Sequence, residues 1–215
     1  MYNSRTISDE DMELPAICVS KDGVIGGVAL QNNEILIYRF MDRKGQLLPE
    51  KEAKKPIVTH RVQFKHLTKI IELFIFRKPA THKEPISDDY QMYVVFEDGI
   101  VLFNGVNRRN DQILVLDSST EGPIMLFQGC CHVDPRQGIL LVDVMKRQSN
   151  GQTDHFIKRF QGSHLQHMQA LDSQKEYVRF FKDHVVEVKP VTKGGAASHL
   201  NAPSQSQLNI YDFKN

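Results

Sequence analysis

The sequence predicts an all-β protein assembled from successive antiparallel hairpins, on three observations. Short runs of β-branched and aromatic residues recur along the chain, parted by Asp-Gly and related turn pairs. Those turns recur at a near-constant spacing. The 3.6-residue rhythm of an amphipathic helix is scarce, and only residues 162–173, GSHLQHMQALDS, match it for a turn or two.

Taken in order, residues 1–13 are polar and acidic and read as a flexible amino terminus. AICVS (16–20) and VIGGVAL (24–30) flank Lys21-Asp22-Gly23 and form the first hairpin, followed by a strand at 34–39. IVTHRVQF (57–64) and TKIIELFIF (68–76) read as two more strands of one unit, with His66-Leu67 in the turn position. YVVF (93–96) and IVLFNGV (100–106) flank Glu97-Asp98-Gly99, which places Gly99 at a positive-φ turn position. A strand follows at 112–116. IMLFQGCC (124–131) and ILLVDV (139–144) join through Asp134-Pro135-Arg136-Gln137-Gly138, where Pro135 presets φ and Gly138 permits the exit. FIKRF (156–160) is a further strand, and YVRFF (177–181) and VVEV (185–188) turn at Lys182-Asp183-His184. Residues 191–207, small and polar, form a linker or loop, and 208–215 supply a terminal strand placed to close on the first unit or to pair with another chain.

Asp98, the 134–138 turn and Asp183 lie about 40 to 45 residues apart, and Asp22 precedes Asp98 by about two such steps, a period that suggests propeller blades. The fold class is therefore all-β, a partial or small β-propeller over residues 14–190. At that period 215 residues allow five blades at most, fewer than the commonest closed rings, so the ring is partial or is completed by another chain.

The strand, Asp-Gly turn, strand rhythm resembles WD-repeat β-propeller blades. It does so by rhythm alone, since the chain has no Trp and no Gly-His pair. The texture of "YVVFEDGIVLF" is similar to the divergent propeller subunits of the nucleolar small-subunit processome. That resemblance implies a non-catalytic protein-interaction scaffold within a multi-protein intracellular assembly, with a place in ribosome biogenesis and a nuclear or nucleolar rather than cytoplasmic location.

With 27 basic and 26 acidic residues the net charge is +1, so the overall field selects neither nucleic acid nor an anionic membrane. The amino terminus lacks a basic-then-apolar leader, and no apolar stretch approaches the roughly 18 residues of a membrane span. Cys18, Cys130 and Cys131 make no disulfide framework, which fits a reducing compartment.

Few residues carry candidate chemistry. Cys130-Cys131-His132 beside Asp134 raises a thiol-dependent enzyme as an alternative. In a strand, however, adjacent side chains point to opposite faces, so Cys131 and His132 should not meet and the two cysteines should not bridge. His164 and His167 would share a helical face without enough further ligands for a metal. Residues 41–66 hold seven Lys and Arg against three acids, a local basic surface. Lys51, Lys54, Lys55 and Arg61, with the exposed pair Arg108-Arg109, are the candidate contacts to a protein partner or, alternatively, to an RNA backbone. No phosphate loop or nucleophile elbow occurs, so no cofactor, metal, membrane or small-molecule substrate is expected.

Overall fold

The computed structural model describes residues 16–30, 32–42, 44–62, 69–79, 89–105, 111–114, 116, 124–149, 151, 153–171, 177–181, 184–190 and 206–212. Nearly all of these lie in antiparallel strands or their turns, and the chain divides into two compact units, residues 1–114 and 115–215.

The first unit holds two four-stranded sheets, each a simple meander. Sheet 1 is β1 (Ala16–Val19), β2 (Ile25–Ala29), β3 (Glu34–Arg39) and β4 (Pro56–Arg61), and sheet 2 is β5 (Ile70–Arg77), β6 (Tyr90–Phe96), β7 (Gly99–Phe103) and β8 (Asp111–Leu114). This four-stranded antiparallel meander is the unit from which propeller blades are built, so the expected fold class stands. The sheets stack with β5 lying across β1 and β2. Ile25, Ile35 and Ile37 of one sheet meet Leu73, Ile75, Met92, Val94, Val101 and Phe103 of the other in one buried cluster. Every residue of β6 and β7 is buried, which explains why YQMYVVF and GIVLF read as continuous apolar runs and not as alternations.

Glycine sets the spacing of that stack. A Cβ at Gly27 would stand 2.7 Å from Ile75 Cδ1 and 2.8 Å from Leu73 Cδ2, so β2 approaches β5 only because this side chain is missing. On the opposite face a Cβ at Gly26 would stand 2.7 Å from the Phe40 ring, so the ring fills the room that Gly26 leaves.

The second unit contains β9 (Ile124–Met125), β10 (Cys131–Asp134), β11 (Ile139–Arg147), β12 (Thr153–Gln161) and β13 (His164–Leu171) in one sheet. Both β9 and β10 pair with β11, and together they make one interrupted outer strand. A three-stranded sheet follows, β14 (Tyr177–Phe181), β15 (His184–Pro190) and β16 (Ser206–Asp212).

Several expectations are corrected. The hairpin at residues 96–99 turns on Glu97-Asp98 alone; Gly99 pairs with Phe96 as the first residue of β7 and does not take a positive φ. The glycines that do are Gly23 (φ 71) and Gly138 (φ 65) in the first and third predicted turns. His184 likewise lies in β15, paired with Phe181. The strands at 57–76 do not form one hairpin, because β4 closes sheet 1 and β5 opens sheet 2. Ahead of β4, residues 50–53 form a short helix α1 (Glu50–Ala53). Residues 162–171 do not form a helix. Gly162 (φ 58) and Ser163 turn the chain back, and pairing with β12 draws the segment into β13, a tertiary override of a weak local rhythm. The terminal strand pairs with β15 of its own sheet. Residues 1–13 and 191–205, Gly194 among them, lie outside the described residues.

Candidate interaction surface

The outer face of sheet 1 is apolar and exposed. In β1 the side chains alternate: Ala16 and Cys18 pack on the core, while Ile17 and Val19 point the other way and are 65% and 53% exposed. Register carries this face inward across the sheet, with Ile17 beside Val28 and Leu36, and Val19 beside Gly26 and Tyr38. Phe40 packs against Gly26 on the same side, and Ile57, at the β3–β4 irregularity, is also exposed. Sheet 2 has no equivalent in its two central strands, which are buried throughout.

The basic candidates are partly neutralised where they are described. Lys54 pairs with Glu50 one helical turn earlier, and Arg61 Nε lies 2.6 Å from Glu34 Oε1 across the β3–β4 pair. Lys51 and Lys55 are exposed near α1. His60, beside Arg61 in β4, is buried with its ring 5.4 Å from that of Phe103. Arg108 and Arg109 lie outside the described residues. Among the described residues the structure therefore brings Lys51, Lys54 and Lys55 together at one short helix and its C-terminal end.

Sequence reasoning missed a polar knot that ties the first hairpin turn to sheet 2. Asp22 Oδ1 accepts from the Ser20 hydroxyl at 2.6 Å and from the Val24 amide at 3.2 Å. Its Oδ2 accepts from the Tyr90 hydroxyl at 2.7 Å and from Arg77 Nε at 3.1 Å, while Arg77 Nη2 donates to Tyr90 Oη at 3.2 Å. Arg77 and Tyr90 are direct partners across β5 and β6, so the sheet presents them to Asp22 as a pair. Burial works to raise the Asp22 carboxyl, but hydrogen bonds from Ser20, Tyr90, Val24 and Arg77 outweigh it and hold the group below its ordinary range. For Arg77 the Tyr90 hydrogen bond leads a net rise, and burial leads the rise of the Tyr90 phenol. The knot is structural in character, since the Asp22 carboxylate and the Ser20 and Tyr90 hydroxyls are all engaged within it.

In the second unit the thiol region departs from expectation in one respect. Cys131 and His132 are consecutive in β10 and point to opposite faces, as read from the sequence. Cys130, however, precedes the strand, after a turn in which Gly129 has φ 85, and its Sγ comes 3.5 Å from that of Cys131. The two sulfurs meet. His164 and His167 do share a face, by a different route from the helix expected: an irregularity in β13 places them opposite Gln161 and Arg159, two residues apart on β12. Both are exposed, and among the described residues no third ligand joins them.

Two further buried polar groups were not anticipated. Asp143, only 1% exposed, lies 3.2 Å from His155 Nδ1, and Lys158 donates to the Leu116 carbonyl. The available signal was a lone acid inside ILLVDVM and a lone lysine inside HFIKRF. A charged residue in an otherwise buried strand demands a partner, but the sequence does not say which.

No family model matches the chain, and no curated protein matches it. Among solved structures it is similar to the crystal structure of the WD40 domain of SCAP from fission yeast, with a TM-score of 0.48 and 13% identity. That similarity covers 94% of this chain and 40% of the other.

Proposed function

We propose that this chain is a non-catalytic interaction scaffold, a run of propeller-type blades whose first sheet docks another protein chain. The carrying observation is the outer face of sheet 1, where Ile17 and Val19 are more than half exposed on the edge strand of a sheet whose other face packs against the core. Such a face matches a second apolar sheet face, which is what the same chain uses to cover the other side of sheet 1. Among the described residues β1 pairs with β2 alone, so its other edge offers backbone groups to which a partner strand can bond. The short three-stranded sheet β14–β16, among the described residues, points the same way: its free edges leave room for a fourth strand.

The test compares the full chain with Ile17→Lys/Val19→Lys. A partner identified by co-purification is prepared separately and titrated against both. Binding that is reconstituted with the original chain and lost in the variant, with an unchanged urea midpoint, supports the scaffold reading. Binding that survives both substitutions, or a chain that forms no binary complex with any purified candidate, overturns it.

A further inference from the structure

We propose that Cys130 and Cys131 are a vicinal dithiol that closes reversibly to an intrachain disulfide under hydroperoxide. Two adjacent residues of a regular strand hold their side chains on opposite faces and cannot meet. This pair escapes the rule because only Cys131 belongs to β10. Cys130 sits at the end of the 128–129 turn, where Gly129 at φ 85 swings the chain before pairing begins. The outcome is a sulfur–sulfur separation of 3.5 Å with both side chains buried.

Exposure assigns the roles. Of the two buried thiols Cys131 is the less enclosed, 8% exposed against 1% for Cys130, and within the pair the first attack is assigned to it. Its thiolate attacks the peroxide oxygen and takes up one hydroxyl equivalent as a sulfenic acid, while the O–O bond breaks and the other oxygen leaves as water or alcohol. The Cys130 thiol then attacks the sulfenic sulfur, the S–S bond forms and water departs. Two protons and two electrons leave the thiols, and one hydroperoxide is reduced. Burial keeps other thiols away, so closure within the pair outruns mixed disulfides.

The backbone makes the product easy to reduce. Adjacent Cα atoms stand about 3.8 Å apart across a trans peptide. Ordinary disulfides hold them at about 4.4–6.8 Å, and departures from that range strain the bond and favour its reduction. Here the backbone cannot shift freely to relieve the strain. The Cys130 carbonyl accepts the Asp143 amide at 2.8 Å, and Cys131 is in register with Val142. The pair therefore rests as the dithiol and oxidises only transiently.

The full chain carries three thiols, and Cys18 is the internal control: its Sγ accepts the Ile75 amide at 3.3 Å, and burial pushes its thiol up. The folded protein is exposed to hydrogen peroxide, then denatured and alkylated, before and after dithiothreitol. The proposal expects three alkylated thiols before peroxide, one after it, and three again after reduction, with the 130–131 peptide lighter by two hydrogens. In Cys130→Ser, a sulfenic acid at residue 131 should be trapped by dimedone. Persistence of three thiols in the original chain, direct passage to sulfinic acid, or intermolecular disulfides in place of the internal one would each overturn the proposal. The original chain alone decides the matter, even if the serine variant folds poorly.

Discussion

Replacing Asp22 by alanine removes the centre of the knot that joins the first turn to sheet 2, and its cost can be worked from the geometry. Ser20 and Tyr90 are 3% and 2% exposed, so their hydroxyls lose an acceptor that water cannot readily replace. Each such loss costs about 1–3 kcal/mol. The Arg77–Asp22 ion pair adds little, because its side chains are 42% and 32% exposed and screened pairs contribute about 0–1 kcal/mol. We expect Asp22→Ala to lower stability by about 2–4 kcal/mol, allowing for partial hydration of the freed hydroxyls. Urea unfolding followed by far-ultraviolet circular dichroism measures it. Acid supplies the second arm. The folded Asp22 carboxyl lies below its ordinary 3.8, so its contribution is complete above that value and is lost as pH falls through the folded value. The gap between the original chain and the variant should be flat near neutrality and should narrow below about pH 4. Arg77→Met should couple to Asp22→Ala in a double-mutant cycle by about 0.5–1 kcal/mol. A loss under about 0.5 kcal/mol, the ordinary scatter of surface substitutions, or a gap indifferent to acid, would refute the knot as described.

Two further predictions concern the stack of sheets 1 and 2. Gly27→Ala should destabilise by about 1 kcal/mol, since overpacking against Ile75 and Leu73 costs about 1–3 kcal/mol and the stiffer residue returns about 0.5–1; a melting temperature at or above that of the original chain would show that β2 and β5 are not in such close approach. Tyr93 is buried, which pushes its phenol well above the ordinary 10.0. Its neutral form contributes stability in full below 10.0, and that contribution is lost as pH rises toward the folded value, so Tyr93→Phe should flatten the alkaline limb of stability. An unchanged limb in urea titrations above pH 10 would count against the burial.

The hairpins were legible because their information is local. Asp22-Gly23, the acidic pair before Gly99 and the Pro135–Gly138 turn each combine a chain reversal with strand-forming flanks, and all became hairpins. Which hairpins share a sheet was not legible, since β4 and β5 are neighbours in sequence yet close one sheet and open the next. Partnership between strands is decided by cores such as Ile35 and Ile37 against Leu73 and Ile75, which no local pattern states. The same holds for polar groups. Asp22 meets Tyr90 across 68 positions and Asp143 meets His155 across 12, so the sequence shows a charge in need of a partner without showing the partner. Residues 164–171 fell to pairing over propensity, and Cys130 fell to a single turn residue that shifts where a strand begins.

The pairing of β16 with β15 turns the chain's last described strand into something close to a tethered ligand. Seven registered pairs, His184 with Asp212 through Pro190 with Ser206, hold it in place. A tether contributes through effective concentration, which falls only slowly with length, each doubling costing about 0.6 kcal/mol. The docking of β16 is thus written in the register of the strand itself. Cut between 190 and 206, the chain would become a receptor and its peptide, and the sheet would be a binding equilibrium with a dissociation constant of its own.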